Sequence, residues 1–320
     1  MQADWNQTGH LLGLEGCSRS SLISLLDDAA QLLPIARNES TGTGEFIGRT
    51  VATLFFENST RTRLSFTMAA RRIGADVLDL NASTSSTAKG ETLLDTALNI
   101  QAMGVDAMIM RCTASGGPQL VSQHARVPII NAGDGKHEHP TQALLDALTL
   151  CQHFQKKTLE GLTIAIVGDI ASSRVARSNA FSLTTLGADV VFVGPPSLVP
   201  PEMESLVESD RDGVGTIRIA HDLDAVLQDI DAIMMLRVQF ERHGGEGIDE
   251  RYSQQFGLST ARADRLPDGV PVLHPGPINR GIELDPEVAD GNRSLVLDQV
   301  TCGVAVRMAV LQGLLRGQSS

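Results

Sequence analysis

The stretch "RTVATLFFENSTRTRLSFTMAARRIGADVLDL", residues 49–80, decides the fold. "RTVATLFF" is a short, mostly apolar run, as expected of a strand buried on both faces. "STRTRLSFTMAARRIGA" follows, with apolar positions at helical spacing behind residues that favour a helix start. "DVLDL" then reads as a second short strand. Strand, helix and strand in about thirty residues form a βαβ unit, the crossover that a parallel sheet requires.

Outward from this unit the same rhythm repeats. Upstream, residues 19–36, "RSSLISLLDDAAQLLPIA", carry a helical pattern behind serines that can cap. Downstream, the Ser/Thr-rich loop "NASTSSTAKGE" leads to the helix "TLLDTALNIQAMG" and the strand "DAMIMR". Helix "PQLVSQHA", strand "VPIINAG" and helix "PTQALLDALTLCQHF" follow. A polar restart, "KKTLEG" at 156–161, precedes strand "LTIAIVGD", helix "SRVARSNAFSLTTLGA" and strand "DVVFVGP". "DAIMMLRVQ" and "VPVLHPGP" are strand-like, and "DQVTCGVAVRMAVLQGLLRG" is a long closing helix. Strands alternating with helices predict α/β architecture with parallel sheets.

The chain has 320 residues, which suits two domains of roughly 150 residues each. The expected division is 1–150, joined by the returning C-terminal helix 298–320, and 151–297. Each domain is expected to be three-layered, with the active site in the cleft between them.

Composition narrows the function. Hydrophobic residues at 42% and charged residues at 20% are ordinary for a soluble enzyme. A formal net charge of −12 argues against a broad nucleic-acid surface, but not against a local pocket for a small anion. Four of the 26 basic residues are lysines (Lys89, Lys136, Lys156 and Lys157). The rest are arginines, whose planar fork suits oxyanions. Cys17, Cys112, Cys151 and Cys302 are too dispersed for a structural zinc site and read as reduced, buried thiols of a cytoplasmic protein. "MQADWNQTGH" shows no basic run followed by an apolar one, so no signal peptide is expected. No apolar run approaches the ~18 residues of a membrane span.

Ligands of open α/β sheets bind at the carboxyl ends of strands. Read that way, separate strands deliver Ser59, Thr60, Arg61 and Thr62, then Arg111, His139, Arg174, and Arg237 with Gln239. The unpartnered N–H groups opening the helix after "TLFFE" carry partial positive charge. Ser59 and Thr60 can cap that end and donate hydroxyls. Arg61 fits two phosphate oxygens. Together they make a phosphate cradle without a Walker loop. The competing reading is a capped amphipathic helix whose arginines point to water. His137 and His139 in "KHEHP" raise a metal site, but two histidines are too few ligands and no Cys or Asp pattern completes them. "VGDIASSR" lacks GxGxxG, so no dinucleotide site is expected. No cofactor and no metal are expected.

"FFENSTRTRLSF", "KGET", "MIMR", "NAGDGKHEHPTQALLD", "LRVQFER" and "HPGPINRG" resemble the aspartate carbamoyltransferase catalytic chains, within the aspartate/ornithine carbamoyltransferase superfamily. The likeness spans nearly the whole sequence. "STRTR" and "HPTQ" are shared across the superfamily. "KGET" with the "RVQ" and "ER" of "LRVQFER" resembles the aspartate enzymes; ornithine enzymes would show a Cys in an HCLP segment and an SMG loop. Here the matching stretch is "HPGP", and no SMG occurs.

The resemblance implies transfer of a carbamoyl group from carbamoyl phosphate to L-aspartate, an early step of pyrimidine biosynthesis. It implies that Ser59, Thr60, Arg61 and Thr62 bind the phosphate, and that Thr62, Arg111 and His139 hold the carbonyl oxygen. Gln142 is implied at the carbamoyl nitrogen, and Arg174, Arg237 and Gln239 at the aspartate carboxylates. Ser85 and Lys89 match a loop that reaches the neighbouring subunit's site. That implies a homotrimer with shared active sites, in which Lys89 serves both substrates. Pro275, Gly276 and Pro277 match a backbone segment lining the site; some family members carry Leu at the Gly276 position. Glu57, bridging to Arg174 and Arg242, is implied in domain closure. A regulatory chain or a dihydroorotase is left open as a further partner. Two alternatives remain: a carbamoyltransferase for another amino acid such as ornithine, and a non-catalytic scaffold paralogue.

Overall fold

The computed structural model describes residues 5–81, 91–207, 213–238 and 249–317. Two compact units emerge, one of residues 1–148 with 300–320 and the other of residues 149–299.

The first unit opens with α1 (Trp5–Thr8), α2 (Arg19–Gln31) and α3 (Leu33–Ala36). The alternation follows: β1 (Thr50–Phe55), α4 (Thr60–Ile73), β2 (Asp76–Asn81), α5 (Leu93–Ala102), β3 (Ala107–Cys112), α6 (Gly117–Ser122), β4 (Ile129–Asp134) and α7 (Pro140–Phe154). The four strands run in the order β2-β1-β3-β4, all parallel. Every residue of β3 and β4 is buried, as the apolar runs predict for a parallel sheet.

The continuous helix expected over 19–36 is in fact two. Leu32 caps α2 with its N–H on the Ala29 and Ala30 carbonyls. Pro34 has no N–H to continue the α2 ladder, so the chain restarts as α3 with proline in its first turn. By contrast α4 runs nearly as expected. Gly74 ends it in the left-handed conformation at φ 93°, which glycine adopts without steric cost.

The second unit holds β5 (Thr163–Val167), α8 (Arg174–Thr185), β6 (Asp189–Val193), β7 (Ile217–Ala220), β8 (Ala232–Met235), α9 (Asp249–Phe256), α10 (Thr260–Ala263), β9 (Val272–Leu273) and α11 (Pro286–Ala289). A short 3-10 turn, Pro201–Leu206, precedes β7. The strand order is β7-β6-β5-β8-β9, again all parallel. Strand β7 is a fifth member that the apolar-run reading does not pick out. It is an edge strand with no fully buried residue, so its composition carries little apolar signal.

The closing helix α12 (Val296–Arg316) returns to the first unit from residue 300 onward. Arg307 Nη1 donates to Ser65 Oγ on α4 at 2.8 Å. Arg316 holds the Glu45 carboxylate with two bonds of 2.6 Å. No helix among the described residues is long and apolar enough to cross a membrane.

Candidate active site

In the first unit the sequence-predicted residues cluster at the carboxyl edge of the sheet. Strands β1, β3 and β4 are parallel neighbours, so their carboxyl ends lie side by side. The end of β1 leads to Glu57 and the start of α4. Arg111 is on β3, directly across from Phe55, and its carbonyl accepts from the Phe56 N–H at 2.8 Å. The ladder between β3 and β4 shifts register beside Arg111, between Met110 and Cys112. Such irregularities re-aim side chains at a sheet rim.

The start of α4 runs against the usual electrostatics of a helix. Its first turn has no acidic residue, while Arg71 and Arg72 occupy its last turn. Arg61 and Arg63 therefore add cations to the positive end of the macrodipole, each at a cost of about 0.3–1 kcal/mol. Arg63 has a local counterion in Asp79 of β2, 3.6 Å away. Thr53 Oγ1 donates to the same carboxylate at 2.5 Å. Arg61 is exposed, yet desolvation of its guanidinium pushes it below the ordinary arginine range. Ser59 occupies the N-cap, but its side chain makes no capping hydrogen bond. This differs from the expectation that Ser59 would close the helix end. Thr62 is buried in the first turn.

Arg111 is also buried. It donates through Nη2 to Glu57 Oε1 at 2.6 Å and through Nη1 to the Ala132 carbonyl at 3.2 Å. Glu57, expected to bridge to Arg174 and Arg242, is also a partner of Arg111 inside its own unit.

His139 ends the turn after β4 and is buried. Its carbonyl accepts from the Gln142 and Ala143 amides at 3.0 and 3.3 Å, opening α7 behind Pro140. The neighbouring His137 is engaged differently: its Nδ1 lies 3.1 Å from Asp134 Oδ2. Asp134 also accepts from the Gly116 and Glu138 amides and from Asn131 Nδ2. Burial works to raise the Asp134 carboxyl, but hydrogen bonds from His137, Gly116 and Asn131 hold it below the usual carboxylate range. Among the described residues no group of three or more His, Cys, Asp or Glu could hold a metal ion. Gln142, one turn into α7, donates from Nε2 to Asp146 Oδ1 at 2.9 Å.

In the second unit, β5, β8 and β9 are likewise parallel neighbours, and their carboxyl ends supply another set. Arg174 is the first residue of α8, behind Ser173, whose Oγ accepts from the Ala176 N–H at 3.1 Å. Arg237 follows β8. The carbonyl of the next residue, Val238, accepts from Asn279 Nδ2 at 3.3 Å. Pro275, Gly276 and Pro277 follow β9. Gly276 sits at φ 67°, where a side chain would be strained. Its N–H donates to His274 Nδ1 at 2.7 Å, and His274 Nε2 is 3.1 Å from Glu283 Oε1. Glu283 Oε1 also accepts from the Asn279 N–H at 2.6 Å. His274 and Glu283 are both buried, and the sequence reading singles out neither as a site residue. Their only local signal is a histidine and a glutamate flanking a Pro-Gly-Pro turn.

Ser85, Lys89, Gln239 and Arg242 lie outside the described residues.

Comparison with known proteins follows the same two-part division. The family described as aspartate/ornithine carbamoyltransferase, carbamoyl-P binding domain, matches residues 9–152. Its companion, the Asp/Orn binding domain, matches residues 160–314. The aspartate carbamoyltransferase catalytic subunit of Myxococcus xanthus is 52% identical over 305 residues, covering 95% of this chain and 98% of that protein. That of Sorangium cellulosum is 51% identical, covering 94% and 91%. Among solved structures, aspartate transcarbamoylase from Trypanosoma cruzi in complex with carbamoyl phosphate and aspartate aligns with a TM-score of 0.85 at 29% identity, covering 95% of this chain and 94% of that one. The catalytic subunit of the M. jannaschii enzyme aligns with a TM-score of 0.85 at 30% identity, covering 97% and 99%. With two adjoining domain matches and relatives identical at half their positions, this chain belongs to the aspartate/ornithine carbamoyltransferase family.

Proposed function

We propose that the chain transfers the carbamoyl group of carbamoyl phosphate to the amine of L-aspartate, giving N-carbamoyl-L-aspartate and phosphate. The observation that carries this reading is the uncapped, cationic start of α4 beside Arg111 and His139 on one sheet edge. It suits a phosphoryl group joined to a carbonyl. The names of the relatives and the ligands of the T. cruzi structure support the same substrates.

In the proposed division of labour, residues 1–148 with 300–320 bind carbamoyl phosphate, and residues 149–299 bind aspartate. Ser59, Thr60, Arg61 and Thr62 take the phosphate, and Arg111 takes the carbonyl with Thr62 and His139. The aspartate nitrogen attacks the carbonyl carbon, and charge collects on the carbonyl oxygen. Donors fixed there beforehand lower the barrier, because they need no rearrangement as charge develops. The C–N bond forms, the C–O bond to phosphate breaks, and the departing phosphate takes the amine proton. No side-chain nucleophile is required. Arg174 and Arg237, with Gln239, suit an acceptor that has two carboxylates.

The Glu57–Arg111 pair gives this reading a consequence. A carboxylate already holds one side of the guanidinium, so an incoming anion competes with Glu57 for it. We further propose a cytoplasmic homotrimer in pyrimidine biosynthesis, with Ser85 and Lys89 contributed to a neighbouring site. Exposed Leu64 and Met68, one turn apart on α4, and Leu78 on the edge strand β2 offer apolar area for a second copy to cover.

The test is turnover of the purified chain with carbamoyl phosphate and either L-aspartate or L-ornithine, following both phosphate and carbamoylated product. Aspartate is expected to be the acceptor. Turnover of ornithine alone would overturn the substrate assignment, and turnover of neither would overturn the reaction.

A further inference from the structure

Two buried charged side chains of the first unit, Arg307 and Asp146, are used by no step of the chemistry. Arg307 lies on α12, with Nη1 on Ser65 Oγ at 2.8 Å and the guanidinium 5.1 Å from the centre of the Phe66 ring. Ser65 and Phe66 belong to α4, the helix whose start carries Arg61. Arg307 Nε has no hydrogen-bond partner among the described residues. Burial pushes the Arg307 guanidinium down to about 10; the charge of Asp146 works upward and that of Arg111 downward. Arg307 therefore shares one electrostatic neighbourhood with Asp146 and Arg111.

Asp146 has no exposed surface. It lies one helical turn beyond Gln142 on α7, the spacing at which side chains meet, and it accepts from Gln142 Nε2 at 2.9 Å. An ionised carboxylate can only accept hydrogen bonds. Arg307 is near enough for the two side chains to interact by charge. The NH2 end of Gln142 is thereby committed to Asp146, and the two ends of the amide cannot exchange. Gln142 Oε1, which makes no hydrogen bond among the described residues, is the atom left to receive a ligand's donor.

We propose that Asp146 is a positioning residue that sets donor specificity: it locks the Gln142 amide so that only its carbonyl oxygen meets the substrate, selecting an NH2 group there over a methyl. This rests on the carbamoyl-transfer reading above and deepens it. Carbamoyl phosphate and acetyl phosphate differ at that one position, NH2 against CH3, with similar size and charge. A fixed acceptor is satisfied by the first and left buried without a partner by the second, which is the strongest form of discrimination a small site can exert. An unlocked amide would turn its own NH2 toward the ligand in part of the population and lose that preference.

The experiment compares dissociation constants for carbamoyl phosphate and acetyl phosphate, measured by titration calorimetry without aspartate. The readout is their ratio in the full chain and in Asp146→Asn. Asparagine keeps the shape but offers both a donor and an acceptor, so Gln142 can sit either way round. The ratio is expected to fall about tenfold in Asp146→Asn, the equivalent of one hydrogen bond, and to be retained in Asp146→Glu. In a Gln142→Leu background, Asp146→Asn is expected to leave the ratio unchanged, because there is no amide to orient. If Asp146→Asn alone does not fold, the doubly neutralised Asp146→Asn with Arg307→Met takes its place and should show the same fall. An unchanged ratio in a folded variant that still binds carbamoyl phosphate overturns the role of Asp146 and leaves the proposed reaction standing. Failure of the unchanged chain to bind carbamoyl phosphate overturns both.

Discussion

Helices α4 and α8 begin alike and end up differently. Each follows an interior strand of its sheet, each has serine at the N-cap, and each carries arginine in its first turn. At α8 the Ser173 hydroxyl accepts from the Ala176 N–H, and the helix end is closed. Ser18, Thr92 and Ser259 close other helices in the same way. At α4 the Ser59 hydroxyl makes no such bond. A serine at the N-cap position is therefore no guarantee of a capped helix. At a closed end the arginine works through its side chain alone. At an open end the backbone N–H groups, the hydroxyls and the guanidinium remain together as donors for an anion. On this view α4 is a phosphate receptor and α8 is a platform for Arg174.

Replacing Arg61 should separate the two ends most strongly. Arg61→Ala removes a charged fork from the open end, and kcat/KM for carbamoyl phosphate is expected to fall about 10²–10³-fold, the usual loss for one donor to developing charge. Steady-state kinetics at saturating aspartate measure it. An equal loss of carbamoyl phosphate affinity in Arg174→Ala would break the distinction between the helix starts.

Arg174→Ala has a smaller and differently placed effect. A hydrogen bond to a charged group contributes about 1.5–3 kcal/mol, so the KM for aspartate should rise by about tenfold to a hundredfold. The KM for carbamoyl phosphate should stay within about twofold. If carbamoyl phosphate were affected and aspartate not, Arg174 would belong with the phosphate donors and the comparison would have to be redrawn.

The alternation of strands and helices was legible because buried parallel strands are apolar throughout and helices carry their own period; both signals are local. "STRTR" behind a buried strand pointed to a helix start there for the same reason, although with Ser59 as its cap. What escaped was tertiary pairing or weak contrast. Strand β7 lies at an edge without a fully buried residue, so it lacks the apolar run that marks the others. The break at Leu32 turns on Pro34, one residue within a pattern that otherwise reads as a single helix. Glu57 meets Arg111 across 54 residues of chain, and Ser65 meets Arg307 across 242. No window of sequence contains both members of such a pair. The Ser59 hydroxyl is a subtler case. Its residue type and position are those of a cap, and only the backbone angles of φ −156° and ψ 100° accompany the missing bond.

The smallest effect tests that last distinction directly. Ser173→Ala removes a formed cap, which costs about 1 kcal/mol. In a chain of this size that lowers the melting temperature by about 2–4 °C. Ser59→Ala removes no cap bond, so its melting temperature without ligand should match that of the unchanged chain. Inorganic phosphate should reverse the order. Binding to the folded state raises the melting temperature in proportion to RT ln(1 + [L]/Kd). The upward shift given by a fixed phosphate concentration should be preserved in Ser173→Ala and reduced in Ser59→Ala, which lacks one donor. Each substitution thus serves as the other's control, since both trade a hydroxyl for hydrogen at a helix start behind an interior strand. Ser59→Ala that destabilised the unliganded chain while keeping the full phosphate shift would mean that the hydroxyl serves the helix after all. The open end of α4 would then be no different in kind from the closed end of α8.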